Sequence, residues 1–307
     1  MAFTATDVKT LREMTGVGMM DCKKALVATD GDMDKAVEWL REKGMAASVK
    51  KAGRVAAEGM AYAAVIDGVG VVVEVNAETD FVGKNEKFVD FVKGVAATAA
   101  KANPADLDAL MACKYLDTDL TVTQQQQEMV LVIGENIKVR RFALYTEGVS
   151  VPYVHAGGKI GVLVNLETSL SAGQVTELGK NIAMQIAALN PRFWDKAQVT
   201  QEVLDEEKKV MLAQMENDPK MANKPAQVRE KIVMGKLNKF YAENCLLQQD
   251  TVRADVFEGT VEAYIAHAAK ELGGTIAFKD AVRFEKGEGI EKKQENFADE
   301  IASLVKG

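Results

Sequence analysis

Short apolar repeats at the start of the chain predict three small helices. The first follows Thr6, the second spans about 19–28, and the third begins at Asp32, where apolar residues recur at positions i, i+3, i+4 and i+7. Gly44 is placed to end the third helix, because glycine readily takes the left-handed conformation found after a helix C-terminus. The pattern therefore predicts a three-helix bundle over residues 1–54.

A hairpin and a long amphipathic helix are predicted next. Two apolar runs flank Asp67-Gly68, a dipeptide that favours the tight turn between paired strands. The second run leads through Thr79-Asp80-Phe81-Val82 into a helix whose apolar stripe stops at Asn103-Pro104. A short helix and a further strand complete a unit predicted over residues 55–145.

The same pattern then occurs a second time. Val-Asn-x-Glu-Thr stands at Val75–Thr79 and again at Val164–Thr168, and each copy leads into an amphipathic helix that stops at Asn-Pro. This repetition predicts a duplicated β-β-α unit, with two similar lobes side by side. Directly after the motif, Asp80-Phe81-Val82 in the first copy is Ser169-Leu170-Ser171 in the second. Because the scaffold is repeated and the acid–aromatic pair is not, we infer that the pair does a job other than folding.

The second lobe, predicted over residues 146–285, contains an insertion. Residues 197–247 carry apolar positions seven apart among charged residues, with a turn at Asn217-Asp218-Pro219, which predicts an antiparallel coiled-coil hairpin. A helical subdomain packed on the core is the alternative. A closing strand is expected at 281–284, followed by a C-terminal module with an amphipathic helix at 286–307. The whole pattern predicts an α+β protein: a helical bundle, a duplicated two-lobe α/β core with antiparallel sheets, the inserted hairpin and a C-terminal helix.

Composition and charge narrow the functional classes. A net charge of −7 and a pI of about 5.2 argue against a broad nucleic-acid surface, which needs clustered basic residues. Three dispersed cysteines and two histidines disfavour a metal site and fit a reducing compartment. No apolar run approaches the roughly 18 residues of a membrane span, and the N-terminus lacks the features of a secretory signal. We therefore expect a cytoplasmic protein without a metal, a cofactor, a nucleic-acid partner or a membrane partner.

Catalytic motifs are absent from the sequence. There is no GxxxxGK[ST] phosphate loop, and Gly68-Val69-Gly70 leads into a strand, which removes a dinucleotide interpretation. Cys22 is a candidate activated thiol, but a small residue packed in a helix is the plainer interpretation. His155 is, on spacing alone, a loop histidine. Asp80 is a candidate helix cap or general base, yet no second titratable group stands beside it. The sequence favours a binding protein over an enzyme.

Five long motifs resemble one family. Residues Leu11–Leu26, Val75–Val82, Ile133–Ile137, His155–Val162 and Arg283–Ile290 resemble, in this order, the signatures of bacterial elongation factor Ts. The resemblance covers essentially the whole chain and fits the long form, with a coiled-coil arm and a C-terminal module. It implies a guanine-nucleotide exchange factor, without covalent chemistry of its own, for elongation factor Tu, the GTPase that carries aminoacyl-tRNA to the ribosome.

The resemblance also implies functional residues. The N-terminal bundle is expected to resemble a ubiquitin-associated-type domain and to contact the GTPase. The segment Thr79, Asp80, Phe81 and Val82 is expected to intrude near the magnesium ion of the GTPase and dislodge it. Further family contact positions are occupied by Arg12, Met19, Met20, Lys23, Ile133, Gly134 and His155. Gln185 stands where some relatives carry a histidine, so a contact at that position is in doubt.

Two other functional classes stay open at the level of the sequence. One is a non-catalytic adaptor that binds its partners through the N-terminal helical domain, which leaves the duplicated core unexplained. The other is a small-molecule enzyme that uses Asp80 in a cleft between the lobes. A deep pocket around Asp80 would favour the enzyme, and an exposed Asp80-Phe81 tip would count against it.

Overall fold

Three helices, α1 (Ala5–Thr15), α2 (Met19–Ala28) and α3 (Met33–Lys51), form the predicted N-terminal bundle. The computed structural model describes residues 3–116, 118–218 and 224–291. The predicted end of the third helix at Gly44 is wrong, since α3 continues to Lys51. Gly44 is buried, and a Cβ there would lie 3.1 Å from the Gln127 carbonyl oxygen. The glycine therefore serves close packing of α3 on a neighbouring helix, not termination.

Lobe 1 is built on a three-stranded antiparallel sheet in the order β1 (Glu58–Ile66), β2 (Val69–Ala77) and β3 (Lys138–Tyr145). Asp67 and Gly68 form the predicted hairpin turn with φ values of 50° and 84°, the left-handed pair that a two-residue turn requires. Helix α4 (Glu86–Ala102) packs Phe88 and Phe91 on one face of this sheet. Two further helices, α5 (Leu107–Ala112) and α6 (Val122–Ile133), connect α4 to β3.

Lobe 2 repeats this plan, as the duplicated motif predicted. Its antiparallel sheet has the order β4 (Val149–His155), β5 (Ile160–Thr168) and β6 (Ile276–Glu285), and helix α7 (Ala172–Leu189) packs on one face. The other faces of the two sheets pack on each other through small and branched side chains, namely Ala61, Ala63, Val72, Leu163 and Phe284. The core thus has four layers, helix–sheet–sheet–helix. His155 ends strand β4, so its assignment to a loop is wrong.

A buried carboxylate fastens lobe 2 to lobe 1. Glu74 on β2 accepts hydrogen bonds from Arg140 Nη1 (2.9 Å), Arg141 Nε (2.5 Å), Asn76 Nδ2 (3.0 Å) and the Gly287 N–H (2.8 Å). Burial alone disfavours the charged carboxylate, but these donors outweigh it and lower the pKa of Glu74. Because Gly287 follows β6, the segment directly after β6 is held against the first lobe.

The insertion forms two helices, α8 (Gln201–Asn217) and α9 (Ala226–Asn244). Arg192 places the start of α8 beside the end of α9: its Nη1 lies 3.3 Å from Glu207 Oε1, and its N–H donates to the Asn244 carbonyl oxygen. The helices are therefore antiparallel, as predicted. They bury Met211, Met215, Val233, Leu237 and Phe240 between them. This mutual packing favours an arm over a subdomain spread on the core.

The last helix within the described residues, α10 (Val261–Leu272), packs beside α7 in lobe 2. Two predictions fall outside the described residues: Pro219 in the turn of the arm, and the amphipathic helix expected in the C-terminal module, where the structure describes residues 286–291 alone. Within the described ranges, no helix combines the length and apolarity that crossing a membrane requires.

Candidate functional site

Residues 79–82 form an exposed tip between β2 and α4. The Phe81 side chain is 79% exposed, and Asp80 is exposed beside it. Val82, the last residue of the tip, is buried in the core of lobe 1. At Gly83, a Cβ would lie 2.8 Å from the Gly59 carbonyl oxygen, so the base of the tip presses on β1. The segment therefore has a buried root and an aromatic side chain that lies outside the buried core of its lobe.

Asp80 does not cap the helix that follows it, so the capping interpretation is wrong. Asn85 is the N-cap of α4, and its Oδ1 accepts from the N–H groups of Lys87 (3.0 Å) and Phe88 (3.4 Å). A short 3-10 turn over Val82–Lys84 separates the tip from α4. Within the described chain the Asp80 carboxylate has no hydrogen-bond partner, which leaves it available to a ligand or partner.

Two carboxylates fix the tip to the end of α6. Glu135 Oε2 accepts from the N–H groups of Glu78 and Thr79, each at 3.0 Å, and its Oε1 accepts from Thr79 Oγ1 at 2.7 Å. In return, Glu78 Oε1 accepts from the Asn136 N–H at 2.6 Å. We call Glu78, Thr79, Glu135 and Asn136 the clasp. Glu135 was not among the predicted site residues, although it lies within the Ile133–Ile137 motif; an acid directly after the glycine that follows a helix does not by itself indicate this role.

An open groove runs beside the tip and includes four of the predicted site residues, namely Thr79, Phe81, Val82 and Ile133. Phe81 and Ile133 line it together with Gly16 of the α1–α2 turn and with Lys87. The Nζ of Lys87 donates to the Gly16 carbonyl oxygen at 3.2 Å, and Lys51 Nζ donates to that of Gly134. The fold therefore brings the tip, the end of α6 and the helical bundle to one surface.

The bundle presents the remaining N-terminal contact positions on either side of the turn that contains Gly16. Met19 and Met20 are 48% and 65% exposed, and Arg12 and Lys23 are exposed close by in sequence. Exposed methionines offer a flexible apolar surface that adapts to a partner. The turn between these residues contains Gly16, which lines the groove at the tip.

Cys22 is a packing residue. Its side chain is fully buried in the bundle, and its Sγ lies 3.6 Å from the Val17 carbonyl oxygen. Burial raises the pKa of the Cys22 thiol, which disfavours the reactive thiolate. The plainer of the two sequence interpretations therefore fits the structure.

His155 and Gln185 lie away from the groove. His155 is exposed, and its Nδ1 lies 2.9 Å from the Tyr153 hydroxyl. The turn after His155 docks on lobe 1, where the Ala61 N–H donates to the Gly158 carbonyl oxygen. Gln185 is 2% exposed; its Nε2 donates to Gln249 Oε1, and its Oε1 accepts from the Val252 N–H at 2.7 Å. Gln185 is therefore a structural residue that has no surface to offer a partner.

The arrangement defines a class of protein. An exposed aromatic side chain on a fixed tip, beside an open groove and exposed methionines, is typical of a protein that docks on another protein. The exposure of Asp80 and Phe81 counts against an enzyme with a small-molecule pocket at Asp80.

Comparisons with known proteins identify the family. A family model described as Elongation factor TS matches residues 78–288. The chain is 45% identical to Elongation factor Ts of Magnetococcus marinus and 44% identical to that of Syntrophotalea carbinolica, in each case over 100% of both chains. It is 47% identical to Elongation factor Ts of Clostridium perfringens over 98% of both chains. The chain belongs to the elongation factor Ts family of bacterial translation factors.

Proposed function

We propose that this protein is a guanine-nucleotide exchange factor for elongation factor Tu, which binds the GDP form, displaces Mg²⁺ and promotes GDP release so that GTP can bind. The observation that carries the proposal is Phe81, an aromatic side chain 79% exposed on a tip that the clasp holds in place. Family membership supplies the partner. The proposal entails no covalent chemistry and no cofactor, and it places the protein in the cytoplasm.

Exchange requires a partner that binds the nucleotide-free GTPase better than the loaded one. A nucleotide held with nanomolar affinity is bound by about 12 kcal/mol. Coupling between the nucleotide and the factor is reciprocal, so rebinding of nucleotide expels the factor. Full burial of a phenylalanine contributes roughly 1.5–3 kcal/mol. Phe81 therefore contributes materially, but other contacts must supply most of the free energy.

Each side chain of the tip has its own role in this proposal. The free carboxylate of Asp80 competes for the donors around the nucleotide or disturbs the water shell of Mg²⁺, an ion that prefers oxygen ligands. Phe81 inserts apolar area that separates elements of the GTPase. Thr79 and Val82 hold the two ends, through the clasp and the lobe 1 core. The remaining contacts are assigned to Arg12, Met19, Met20, Lys23, Ile133, Gly134 and His155.

The test is the rate of GDP release from elongation factor Tu, followed by stopped flow with a fluorescent GDP analogue. We expect the protein to accelerate release strongly. The double variant Asp80→Ala with Phe81→Ala should slow the stimulated release much more than it weakens association. Release that is unchanged by the wild-type protein would overturn the proposal, and association without acceleration would support the adaptor instead.

A further inference from the structure

We propose that Glu135 is the positioning residue of the tip: its carboxylate holds residues 79–82 in the shape that projects Phe81. The inference rests on the proposed exchange function for its kinetic readout. Glu135 itself lies two residues after α6, not in the tip, and it is hydrogen-bonded to the chain just before Asp80 and Phe81.

Lobe 2 shows what the same junction does without such a carboxylate. There, strand pairing continues to Thr168 opposite Ile276, and Thr168 occupies the place of Thr79 in the duplicated motif. The next residue, Ser169, bonds directly to Thr275: its N–H donates to the carbonyl oxygen, and its Oγ accepts from the Thr275 N–H at 2.9 Å. Backbone pairing thus closes the junction in this copy.

In lobe 1 the strands separate earlier. Pairing of β2 with β3 stops at Asn76 opposite Lys138, so the N–H groups of Glu78 and Thr79 have no strand to bond. The Glu135 carboxylate accepts from both, and the Asn136 N–H is satisfied by the Glu78 carboxylate. Side chains therefore replace the backbone ladder at the point where the tip leaves the sheet.

A carboxylate suits this task for a chemical reason. It is an acceptor with two oxygens, and Glu135 meets two N–H groups and one hydroxyl at 2.7–3.0 Å. Hydrogen bonds to an ionised acceptor are shorter and stronger than neutral ones. A tip fixed in this way does not lose conformational entropy again when it docks.

The base of the clasp is itself anchored. Lys51 at the end of α3 donates to the carbonyl oxygen of Gly134, the residue before Glu135. Asn136 Nδ2 donates to the Arg54 carbonyl oxygen at 2.8 Å, in the segment that leaves the bundle. Glu135 therefore links a fixed part of the bundle to the tip, as a positioning group must.

The test combines kinetics with amide hydrogen exchange. In Glu135→Ala we expect faster exchange of the Glu78 and Thr79 amides in the free protein, and about tenfold slower stimulated GDP release at saturating factor, with the half-saturating concentration little changed. The matched control is Glu167→Ala, which removes the exposed lobe 2 counterpart of Glu78 and should change neither readout. Thermal unfolding checks that each variant is folded.

Two further variants separate positioning from other roles. In a Phe81→Ala background, Glu135→Ala should add little, because the position of the missing ring no longer matters. Glu135→Gln keeps an oxygen for the two N–H groups, so it should recover most of the rate. If Glu135→Ala does not fold, Thr79→Val removes one clasp bond and should give a smaller loss in the same direction.

Several outcomes would overturn the inference. The first is GDP release at the wild-type rate by folded Glu135→Ala. The second is a double variant in which the rate losses of Phe81→Ala and Glu135→Ala multiply. The third is a Glu135→Gln variant that releases GDP as slowly as Glu135→Ala, which would indicate a direct charge contact with the partner. If the wild-type protein does not accelerate release, the proposed function fails. The clasp is then judged by exchange alone, and unchanged protection of Glu78 and Thr79 in Glu135→Ala would refute it.

Discussion

Replacing Phe81 by alanine measures what the tip contributes as a wedge. The ring is 79% exposed in the free protein, so docking can bury that fraction. Since complete burial of a phenylalanine is worth roughly 1.5–3 kcal/mol, the exposed part amounts to about 1.2–2.4 kcal/mol. If that free energy is realised only while nucleotide is being displaced, stimulated GDP release should become about 8- to 60-fold slower.

The assay compares the release rate at saturating factor with the affinity for elongation factor Tu. Val49→Ala is the matched control, because it removes an apolar side chain that is 78% exposed on α3 and lies outside the groove. Neither substitution should change the free energy of unfolding by more than about 0.5 kcal/mol, as both side chains face solvent. Phe81→Ala should slow release and Val49→Ala should not.

Two results would refute the hypothesis that Phe81 acts as a wedge during nucleotide displacement. Unchanged release by folded Phe81→Ala would show that the ring does not take part in displacement. A loss of affinity as large as the loss in rate would show that Phe81 binds the loaded and the empty GTPase equally, and such uniform binding cannot drive exchange.

The remaining predictions concern the scaffold. Glu74→Gln should lower the free energy of unfolding by about 1–3 kcal/mol at pH 7, because it removes the buried negative charge to which the half-buried Arg140 and Arg141 donate, while Arg141 keeps Glu288 as a partner. The folded-state pKa of Glu74 lies below its ordinary 4.5, so its stabilisation is complete above that value and is lost as the pH falls through the lowered one. Urea unfolding between pH 7 and 3 should show the difference between wild type and Glu74→Gln shrinking below about pH 4.5, and a constant difference would contradict this linkage. Gly94→Ala should destabilise by about 1–3 kcal/mol, because its methyl group would overlap the buried Tyr115 ring. Gly173→Ala, with open space around the new methyl group, is the control, and equal unfolding midpoints for the two variants would refute the packing argument.

Elements whose formation depends on residues close together in the chain could be predicted from the sequence. The turn at Asp67-Gly68 and the end of α4 at Asn103 depend on residues a few positions apart, and both predictions are confirmed. The bounds of β4 were not assigned from the sequence, because Pro152 interrupts its apolar pattern; the strand tolerates proline since it lies at the edge of its sheet. Gly44 was misinterpreted because its role depends on α6, far along the chain.

The residues of the candidate site also fall into two groups, those that the sequence could single out and those that it could not. Asp80 and Phe81 could be singled out from the sequence because the second copy of the motif lacks them. Glu135 could not, because its importance depends on where β2 and β3 separate, and no spacing in the chain encodes that point. The supposed cap at Asp80 failed because a 3-10 turn intervenes and Asn85 takes the position.

The two lobes therefore allow a comparison, within one chain, of two copies of the same strand-to-helix junction. Where pairing runs on to Thr168, backbone hydrogen bonds and the Ser169 hydroxyl close the junction, and the following residues stay close to the sheet. Where pairing stops at Asn76, the N–H groups of Glu78 and Thr79 lose the strand as an acceptor and must bond to a side chain or to solvent. Glu135 supplies that acceptor from outside the sheet, and this allows the chain to leave the sheet without becoming loose. An exposed ring such as Phe81 is useful as a wedge only on such a fixed support, which is why the clasp and the tip belong to one site.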